Sequence, residues 1–206
     1  MSAWVISKRG DQALKDRFLK NIVSFDDVCS YCLTEPGSGS DAAALKTKAA
    51  ITNEGYTLNG SKSFISGGGF SDLYVVLCRT GDQTPNGISM VLVENGQKGL
   101  SFGKKEQKMG WKAQPTAIVQ FDNCSIPAAN LVGEEGDGFK YAMEGLDGGR
   151  LNIAAASLGG AQKAYEIAKS YSKERSAFGK PISRFQSIEF KLADMACLLY
   201  TSDAAD

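Results

Sequence analysis

The sequence contains no histidine among its 206 residues. Without an imidazole the chain cannot build a Ser-His or Cys-His nucleophile system, and it lacks the side chain that most zinc sites use. Five cysteines occur, in an odd and scattered set that indicates a reducing compartment and free thiols. Cys29 and Cys32 form a C-x-x-C, but no second pair completes a metal site. We therefore predict no metal centre and interpret both residues as small buried hydrophobic side chains.

The formal net charge is zero, since 23 Lys and Arg residues balance 23 Asp and Glu residues. A nucleic-acid or acidic-membrane partner normally requires a basic face, so neither is expected. No apolar run approaches the ~20 residues of a membrane span. The first residues, MSAWVISKRGDQ, resemble neither a signal peptide nor a transit peptide. With 43% hydrophobic and 22% charged residues, the composition predicts an ordinary globular chain.

Strand signals dominate the middle of the chain, from about residue 31 to residue 130. Asn59-Gly60 stands between apolar-rich runs and predicts a hairpin turn. Short strands separated by turns, with no long helical pattern between them, favour an antiparallel sheet or barrel. The other strands are predicted from three apolar or alternating runs, at residues 73–80, 87–95 and 116–127.

Helical patterns flank this region. Residues 3 to about 23 have apolar side chains at helical spacing, and from about Gly138 the chain becomes rich in Ala with apolar spacings of three and four. Gly148-Gly149 predicts a kink or a boundary, and Gly179-Pro181 predicts the end of the run. The segment SRFQSIEFKLADMA then predicts a further amphipathic helix.

The loop YCLTEPGSGSD, residues 31–41, carries the most chemical information. A phosphate-binding Walker loop needs a Lys that is absent between Gly37 and Leu45, and a nucleophile elbow needs a His. GSGSDA fits a loose dinucleotide pattern, but the chain continues into predicted strands instead of the required long helix. Hydroxyl groups and close-approaching glycine backbone suit a planar heterocycle or a polar chain. From the residues alone, a ligand site and a tight solvated turn remain equally open.

Several long motifs, in order, resemble the acyl-CoA dehydrogenase flavoenzymes. These are YCLTEPGSGSD, YTLNGSKSFISGG, GWKAQPTAIVQFDNCSIP, GEEGDGFKYAM, GLDGGRLNIAAASLGGAQ and ERSAFGKPISRFQSIEFKLADM. The resemblance extends from about Trp4 to Ala196. Within the family, LTEPGSGSD, FGKKEQKMGW and GGRLNIA are most similar to branched-chain members that act on isobutyryl-CoA. Short-chain and 2-methyl-branched enzymes are near neighbours.

The resemblance implies an α+β multidomain fold, in which a middle antiparallel β-barrel domain is flanked by helical domains and the full-length protein is a homotetramer. It also implies that the chain is truncated at both ends. The last ten residues, CLLYTSDAAD, resemble translated sequencing-adapter sequence, so we expect them to be a non-native tail. The implied divisions are the end of the first helical domain at 1–30, the middle domain at 31–134, the start of the second helical domain at 135–196, and the tail at 197–206.

The activity implied by the resemblance is the α,β-dehydrogenation of an acyl-CoA thioester. In the family a Glu removes the α proton, the β hydrogen leaves as hydride to the N5 atom of FAD, and electron-transfer flavoprotein receives the electrons. That Glu belongs to the part of the second helical domain missing here, so we assign no catalytic residue, and Glu35 is not given this role. We expect the chain to be inactive by itself. The compartment implied is the bacterial cytoplasm or the mitochondrial matrix.

Two other interpretations of the function remain open. One is a flavin oxidase or monooxygenase of the same fold, and the other is a non-enzymatic binding protein. Without the resemblance, Phe64 and Phe178 would be interpreted as core aromatics, because such side chains are usually buried. Arg150 and Arg175 would be interpreted as surface charges in weak ion pairs.

The site residues implied by the resemblance fall into a cofactor set and a substrate set. Phe185 departs from the polar residue often found just before the Gln of the family motif, so no contact is assigned to it. The FAD set is Tyr31, Leu33, Thr34, Gly39, Ser40, Phe64, Ile65, Ser66, Arg175, Phe178 and Gln186. The acyl-CoA set is Ser40, Asp147, Gly148, Gly149 and Arg150. Arg175, Phe178 and Gln186 are expected to meet the FAD of a neighbouring subunit.

Overall fold

The structure is a computed structural model that describes residues 1–203. Its contacts divide the chain into two compact units, the first covering Met1–Asp147 and the second beginning at Gly148. The division falls at the Gly148-Gly149 pair, where the sequence predicts a kink or a boundary. The helix that contains this pair nevertheless continues through it.

The first unit begins with short helical segments and not with the single helix predicted for residues 3 to 23. Gly10 is extended, with φ −65° and ψ 147°, and therefore ends the first segment. The Asp11 carboxylate then accepts a hydrogen bond from Leu14 N at 2.8 Å, which starts a new helix with a capped N-terminus. The segments are α1 (Ser2–Arg9), α2 (Gln12–Leu14), a π-helical turn (Lys15–Leu19) and α3 (Lys20–Ser24).

A seven-stranded mixed sheet forms most of the rest of the first unit, which ends with the first residues of a long helix. Its strands are β1 (Cys29–Cys32), β2 (Lys48–Thr52), β3 (Gly55–Ser66), β4 (Leu73–Arg79), β5 (Ile88–Glu94), β6 (Leu100–Phe102) and β7 (Thr116–Pro127). The three strands predicted from apolar runs are confirmed to within one residue at each end.

The strand order is β1-β4-β2-β3-β7-β6, with β5 on the other side of β4. The expected antiparallel pairing is found for β2–β3, β3–β7, β4–β5 and β6–β7. The parallel pairs are β1–β4 and one position of β2–β4, which make the sheet mixed. Strand β1 ends within the YCLTEPGSGSD segment, whose remaining residues form the loop that follows.

The hairpin turn predicted at Asn59-Gly60 is wrong. Both residues lie inside β3, and the turn that joins β2 to β3 is formed by residues 53–54. Gly60 has φ +145° at a register shift against β7, and a Cβ atom there would lie 2.6 to 2.9 Å from atoms of Thr47. Glycine is therefore required here because the backbone of the bulged strand approaches Thr47 closely. Besides turns, bulges and close backbone contacts are the positions where isolated glycines occur in strands.

Both faces of β4 are buried, which explains its continuous apolar run. Val75 and Leu77 pack into one hydrophobic cluster, whereas Val76 and Cys78 pack into a second cluster on the opposite face. Cys32 and Cys78 are fully buried and Cys29 is partly buried, all as free thiols. Burial raises the pKa of the Cys78 thiol to about 12. The interpretation of the C-x-x-C as buried thiols is thus confirmed for Cys32 and holds in part for Cys29.

The second unit continues the long helix α4 (Gly138–Glu174) and ends with helix α5 (Gln186–Asp203). Between them a two-residue hairpin pairs β8 (Ser176–Ala177) with β9 (Lys180–Pro181). The helical run thus ends at Glu174, before the predicted Gly179-Pro181. Helix α5 confirms the predicted helix and includes residues 197–203 of the expected tail, whereas residues 204–206 lie outside the described residues. Among residues 1–203, no helix is long and apolar enough to cross a membrane.

Candidate functional site

A cleft in the first unit brings six of the predicted FAD residues together. Its volume is about 960 Å³, and it also receives side chains from α3 and from the start of α1. The six come from two segments that are separate in sequence, one at the end of β1 and one at the end of β3. They are Tyr31, Leu33, Thr34, Phe64, Ile65 and Ser66.

The loop after β1 turns sharply at Pro36-Gly37. Glu35 and Ser38 exchange two backbone hydrogen bonds, of 2.9 and 3.1 Å, and the Ser38 hydroxyl donates to the Asp41 carbonyl at 2.7 Å. Proline and glycine at the two central positions suit this turn. Gly39 and Ser40 follow it on the exposed surface and are not among the residues that line the cleft. The structure therefore does not bring these two predicted residues to the cleft.

A bulge near the end of β3 presents Phe64. The pairing with β7 shifts register between Lys62 and Ile65, and Phe64 adopts φ 57° with 67% of its surface exposed. A left-handed backbone is unusual for a bulky residue and is often associated with function. The interpretation of Phe64 as a core aromatic is wrong, because the bulge turns its ring out of the sheet core.

A buried ion pair that sequence reasoning missed connects the two cleft segments. Lys62 Nζ donates to Glu35 Oε1 at 2.7 Å, and the two side chains are 0% and 6% exposed. Burial raises the pKa of Glu35, but the Lys62 ammonium and the hydrogen bonds to the carboxylate outweigh this effect and hold the pKa below its ordinary value. Glu35 is thus an ion-paired anion, which agrees with withholding the role of catalytic base from it. Nothing local to Lys62 in the sequence distinguishes it from a solvated strand lysine.

Two buried hydroxyl groups near these segments have no hydrogen-bond partner within the described residues, those of Tyr31 and Thr47. Burial raises the pKa of the Tyr31 phenol above its ordinary value, so the hydroxyl is neutral and can donate or accept. Buried polar groups are normally paired, so an unpaired one on a cleft wall is a place where a ligand can bind. The cleft thus combines a buried hydroxyl, an outward-turned aromatic ring and backbone at a strand end.

The remaining predicted residues lie elsewhere on the chain. Asp147 is exposed at the end of the first unit, and it lines a hollow with Trp4, Lys8, Arg9 and Glu144. The other predicted acyl-CoA residues, Gly148, Gly149 and Arg150, belong to the α4 portion of the second unit.

The second unit presents its predicted FAD residues around the β8–β9 hairpin. Phe178 and Gly179 form the hairpin turn with φ of 53° and 77°, and Phe178 is 96% exposed. The interpretation of Phe178 as a core aromatic is therefore also wrong. Arg175 directly precedes β8, and Gln186 is the first residue of α5. Phe185 contacts the Phe178 ring edge-on, with centroids 6.1 Å apart, so it has a packing role in the hairpin.

Comparison with known proteins identifies relatives across nearly the whole chain. The family described as "Acyl-CoA dehydrogenase, middle domain" matches residues 30–124, and "Acyl-CoA dehydrogenase, C-terminal domain" matches residues 136–205. The mitochondrial isobutyryl-CoA dehydrogenase of Bos taurus is 52% identical over 202 residues, which are 98% of this chain and 49% of that protein.

Solved structures agree with these matches. The butyryl-CoA dehydrogenase of Megasphaera elsdenii superimposes with a TM-score of 0.94 at 44% identity, over 97% of this chain and 52% of that one. A structure described as the FAD complex of PigA superimposes with a TM-score of 0.92 at 29% identity, over 97% of this chain and 52% of that one. The chain therefore spans about half the length of the relatives that it matches.

Proposed function

This chain belongs to the acyl-CoA dehydrogenase family, and we propose that it is the FAD-holding part of an enzyme that removes hydrogen from the α and β carbons of a short branched acyl-CoA. The substrate that we propose is isobutyryl-CoA, which would be converted to methacrylyl-CoA in valine catabolism. Electron-transfer flavoprotein would accept the electrons. The observation that carries this proposal is the cleft in the first unit, because six residues that the family resemblance implies as FAD contacts line one cavity.

The residues of the cleft fit a flavin. An isoalloxazine is planar and apolar on its faces and polar along one edge, so it requires aromatic or aliphatic walls and a small number of hydrogen-bonding groups. The exposed Phe64 ring and Leu33 supply apolar wall, whereas Thr34 and Ser66 supply hydroxyls. Tyr31 also lines the cleft, with its hydroxyl buried and unpaired within the described residues. FAD supplies the electron sink for hydride transfer when it is bound.

The contribution of this chain to the reaction is binding and orientation. Hydrogen-bond donors held at the polar edge of the flavin stabilise charge that accumulates there on reduction, and they do so without reorganising. Arg175 is proposed to meet the FAD pyrophosphate of a neighbouring subunit in a homotetramer, because a guanidinium suits phosphate oxygens. Asp147, Arg150 and Ser40 are proposed to contact the acyl-CoA.

The choice of isobutyryl-CoA rests on the motifs LTEPGSGSD, FGKKEQKMGW and GGRLNIA and is supported by the 52% identity to the bovine enzyme of that name. A 2-methyl-branched or a short straight-chain acyl-CoA is the alternative within the family. The catalytic Glu of the family is proposed to lie outside this chain, so the chain alone is expected to bind substrate components without performing the reaction.

The test compares the full-length protein with the 206-residue chain. Each is mixed anaerobically with FAD and then with isobutyryl-CoA, 2-methylbutyryl-CoA or butyryl-CoA, and loss of the visible flavin absorption is recorded. We expect rapid bleaching of the full-length protein, fastest with isobutyryl-CoA, and no bleaching of the chain alone.

Each part of the proposal has its own refuting result. Bleaching of the chain alone would refute the placement of the base, and faster bleaching with another thioester would refute the substrate. Rapid reoxidation of the bleached full-length protein by oxygen, without electron-transfer flavoprotein, would instead identify an oxidase.

A further inference from the structure

The ion pair between Glu35 and Lys62 has every charged atom engaged inside the protein. Lys62 Nζ donates to Glu35 Oε1 at 2.7 Å and to the Leu33 carbonyl at 3.1 Å. Glu35 also accepts from Lys46 N at 2.6 Å and from Thr47 N at 2.9 Å. The ammonium thus has two acceptors and the carboxylate three donors, all of them from the protein itself.

Stability alone is a weak reason for such a pair. Removing both charges from water is costly, and buried ion pairs can often be replaced by apolar residues without loss of stability. Both side chains are almost completely removed from water, and burial lowers the pKa of the Lys62 ammonium although the Glu35 carboxylate opposes the shift. A pair that is costly to bury requires another explanation, and its location supplies one.

The pair joins the two segments that form the cleft. Leu33 and Glu35 flank Thr34 on the loop after β1, whereas Lys62 directly precedes the bulge that carries Phe64. A backbone hydrogen bond also connects the two segments, since Ser63 N donates to the Thr34 carbonyl at 2.8 Å. The register shift that starts at Lys62 removes Ser63 from regular pairing with β7 and leaves its N–H available for this bond.

We propose that Glu35 and Lys62 are positioning residues of the cofactor cleft, whose ion pair holds segment 33–35 against segment 62–66 and thereby sets the separation of the two walls that contact the flavin. The inference rests on the proposed function in so far as the ligand is a flavin. Neither side chain lines the cleft, so both act through the residues beside them. A rotation of either segment would move the Thr34 or Ser66 hydroxyl away from the polar edge of the ligand, and it would release the left-handed backbone of Phe64.

The experiment uses the full-length protein and four variants. Glu35→Gln and Lys62→Met each break the pair, and the double variant removes both charges, so it remains folded even where a single variant leaves an unpaired buried charge. Glu94→Gln is the matched control, because Glu94 forms an exposed ion pair with Arg17 at 2.6 Å in the same unit and lies outside the cleft. The measurements are the Kd for FAD, the position of the visible flavin absorption bands, and hydrogen exchange of the backbone amides in the FAD-free protein.

We expect Lys62→Met and the double variant to bind FAD at least about tenfold more weakly and to shift the flavin bands, with faster exchange confined to residues 33–35, 46–47 and 62–66. Glu94→Gln should match the wild type in all three measurements. A double variant with wild-type affinity and wild-type bands would overturn the inference. So would faster exchange over the whole sheet, since that result would assign the pair to general stability.

Failure of the proposed function is distinguishable from failure of this inference. A wild-type protein that takes up no FAD would contradict the proposed function. A wild-type protein that binds FAD, together with variants that bind it equally well, would contradict the positioning role alone. Unchanged exchange at Ser63 in FAD-free Lys62→Met would show that the ion pair does not hold the two segments together, and it would overturn the inference independently of any FAD measurement.

Discussion

Replacing Phe64 with glycine separates the ligand-binding role of this residue from its role in folding. Phe64 has φ 57°, and a left-handed backbone costs a non-glycine residue about 1–2 kcal/mol, which glycine would recover. Against this, glycine loses about 0.5–1 kcal/mol through the greater freedom of the unfolded chain. The ring is 67% exposed, so its buried third contributes only about 0.5–1 kcal/mol of the roughly 1.5–3 kcal/mol of a fully buried side chain. The terms nearly cancel, and the free energy of unfolding should change by less than about 1 kcal/mol.

Binding of FAD should respond differently. An aromatic ring stacked on a planar heterocycle is worth about 1–3 kcal/mol, so Phe64→Gly should raise the Kd for FAD about 5- to 150-fold. Urea unfolding supplies the stability, and fluorescence titration of the full-length protein with FAD supplies the affinity. The prediction is therefore a large loss of binding with little change in stability.

Trp111→Gly is the matched control for this experiment. Trp111 has φ 54° and is 69% exposed, so its stability terms are similar, but it does not line the cleft. We expect a similarly small stability change and an unaltered Kd for FAD. If Phe64→Gly lost more than about 3 kcal/mol of stability, the ring would be a core residue. If its affinity for FAD matched that of the wild type, the assignment of the cleft would be refuted.

Three further predictions test the fold around the cleft. Gly60→Ala should lower the free energy of unfolding in urea by about 2–5 kcal/mol, because the strain at φ +145° and the overlap of the new methyl group with Thr47 add. At Gly39 a methyl group would meet open space, so Gly39→Ala should change the free energy of unfolding by less than about 1 kcal/mol. Equal effects of the two variants would contradict the close approach of Gly60 to Thr47. The pKa of Glu35 in the folded protein lies below its ordinary value of 4.5. The extra free energy of unfolding of the wild type relative to Glu35→Gln should therefore be complete above pH 4.5 and should decline as the pH falls through the pKa of Glu35 in the folded protein. A difference that stays constant until acid unfolds the protein would exclude a charged Glu35–Lys62 pair. Iodoacetamide at pH 8 should modify the exposed Cys197 of the folded 206-residue chain but should modify Cys78 only after urea unfolds the chain, because burial raises the pKa of the Cys78 thiol to about 12. Mass spectrometry would identify the modified residues. Modification of Cys78 in the folded chain would contradict its burial.

The strands and the buried thiols were predictable from sequence because their signals are local. The run 73–80 is apolar up to Cys78 and contains two adjacent valines, and the strand found there is buried on both faces. Asn59-Gly60 shows the limit of the same reasoning. An Asn-Gly pair is compatible with a hairpin turn, and a glycine within a strand is compatible with a bulge. Only the proximity of Thr47 to Gly60 in the folded chain shows that this pair forms a bulge.

Residue types and spacings were enough to predict three strands, the later helices, the loop that carries the ligand chemistry, and the family that the motifs indicate. Each of these follows from residue types and spacings within about twenty positions. The tertiary structure alone decided that Lys62 pairs with Glu35, 27 positions away, and that the bulge exposes Phe64. It also separated Gly39 and Ser40 from the cleft wall, although they follow Thr34 in the same loop. The physical reason is that a buried charge or a strained backbone is tolerated only where distant segments supply its partners, and a linear pattern does not record which segments meet.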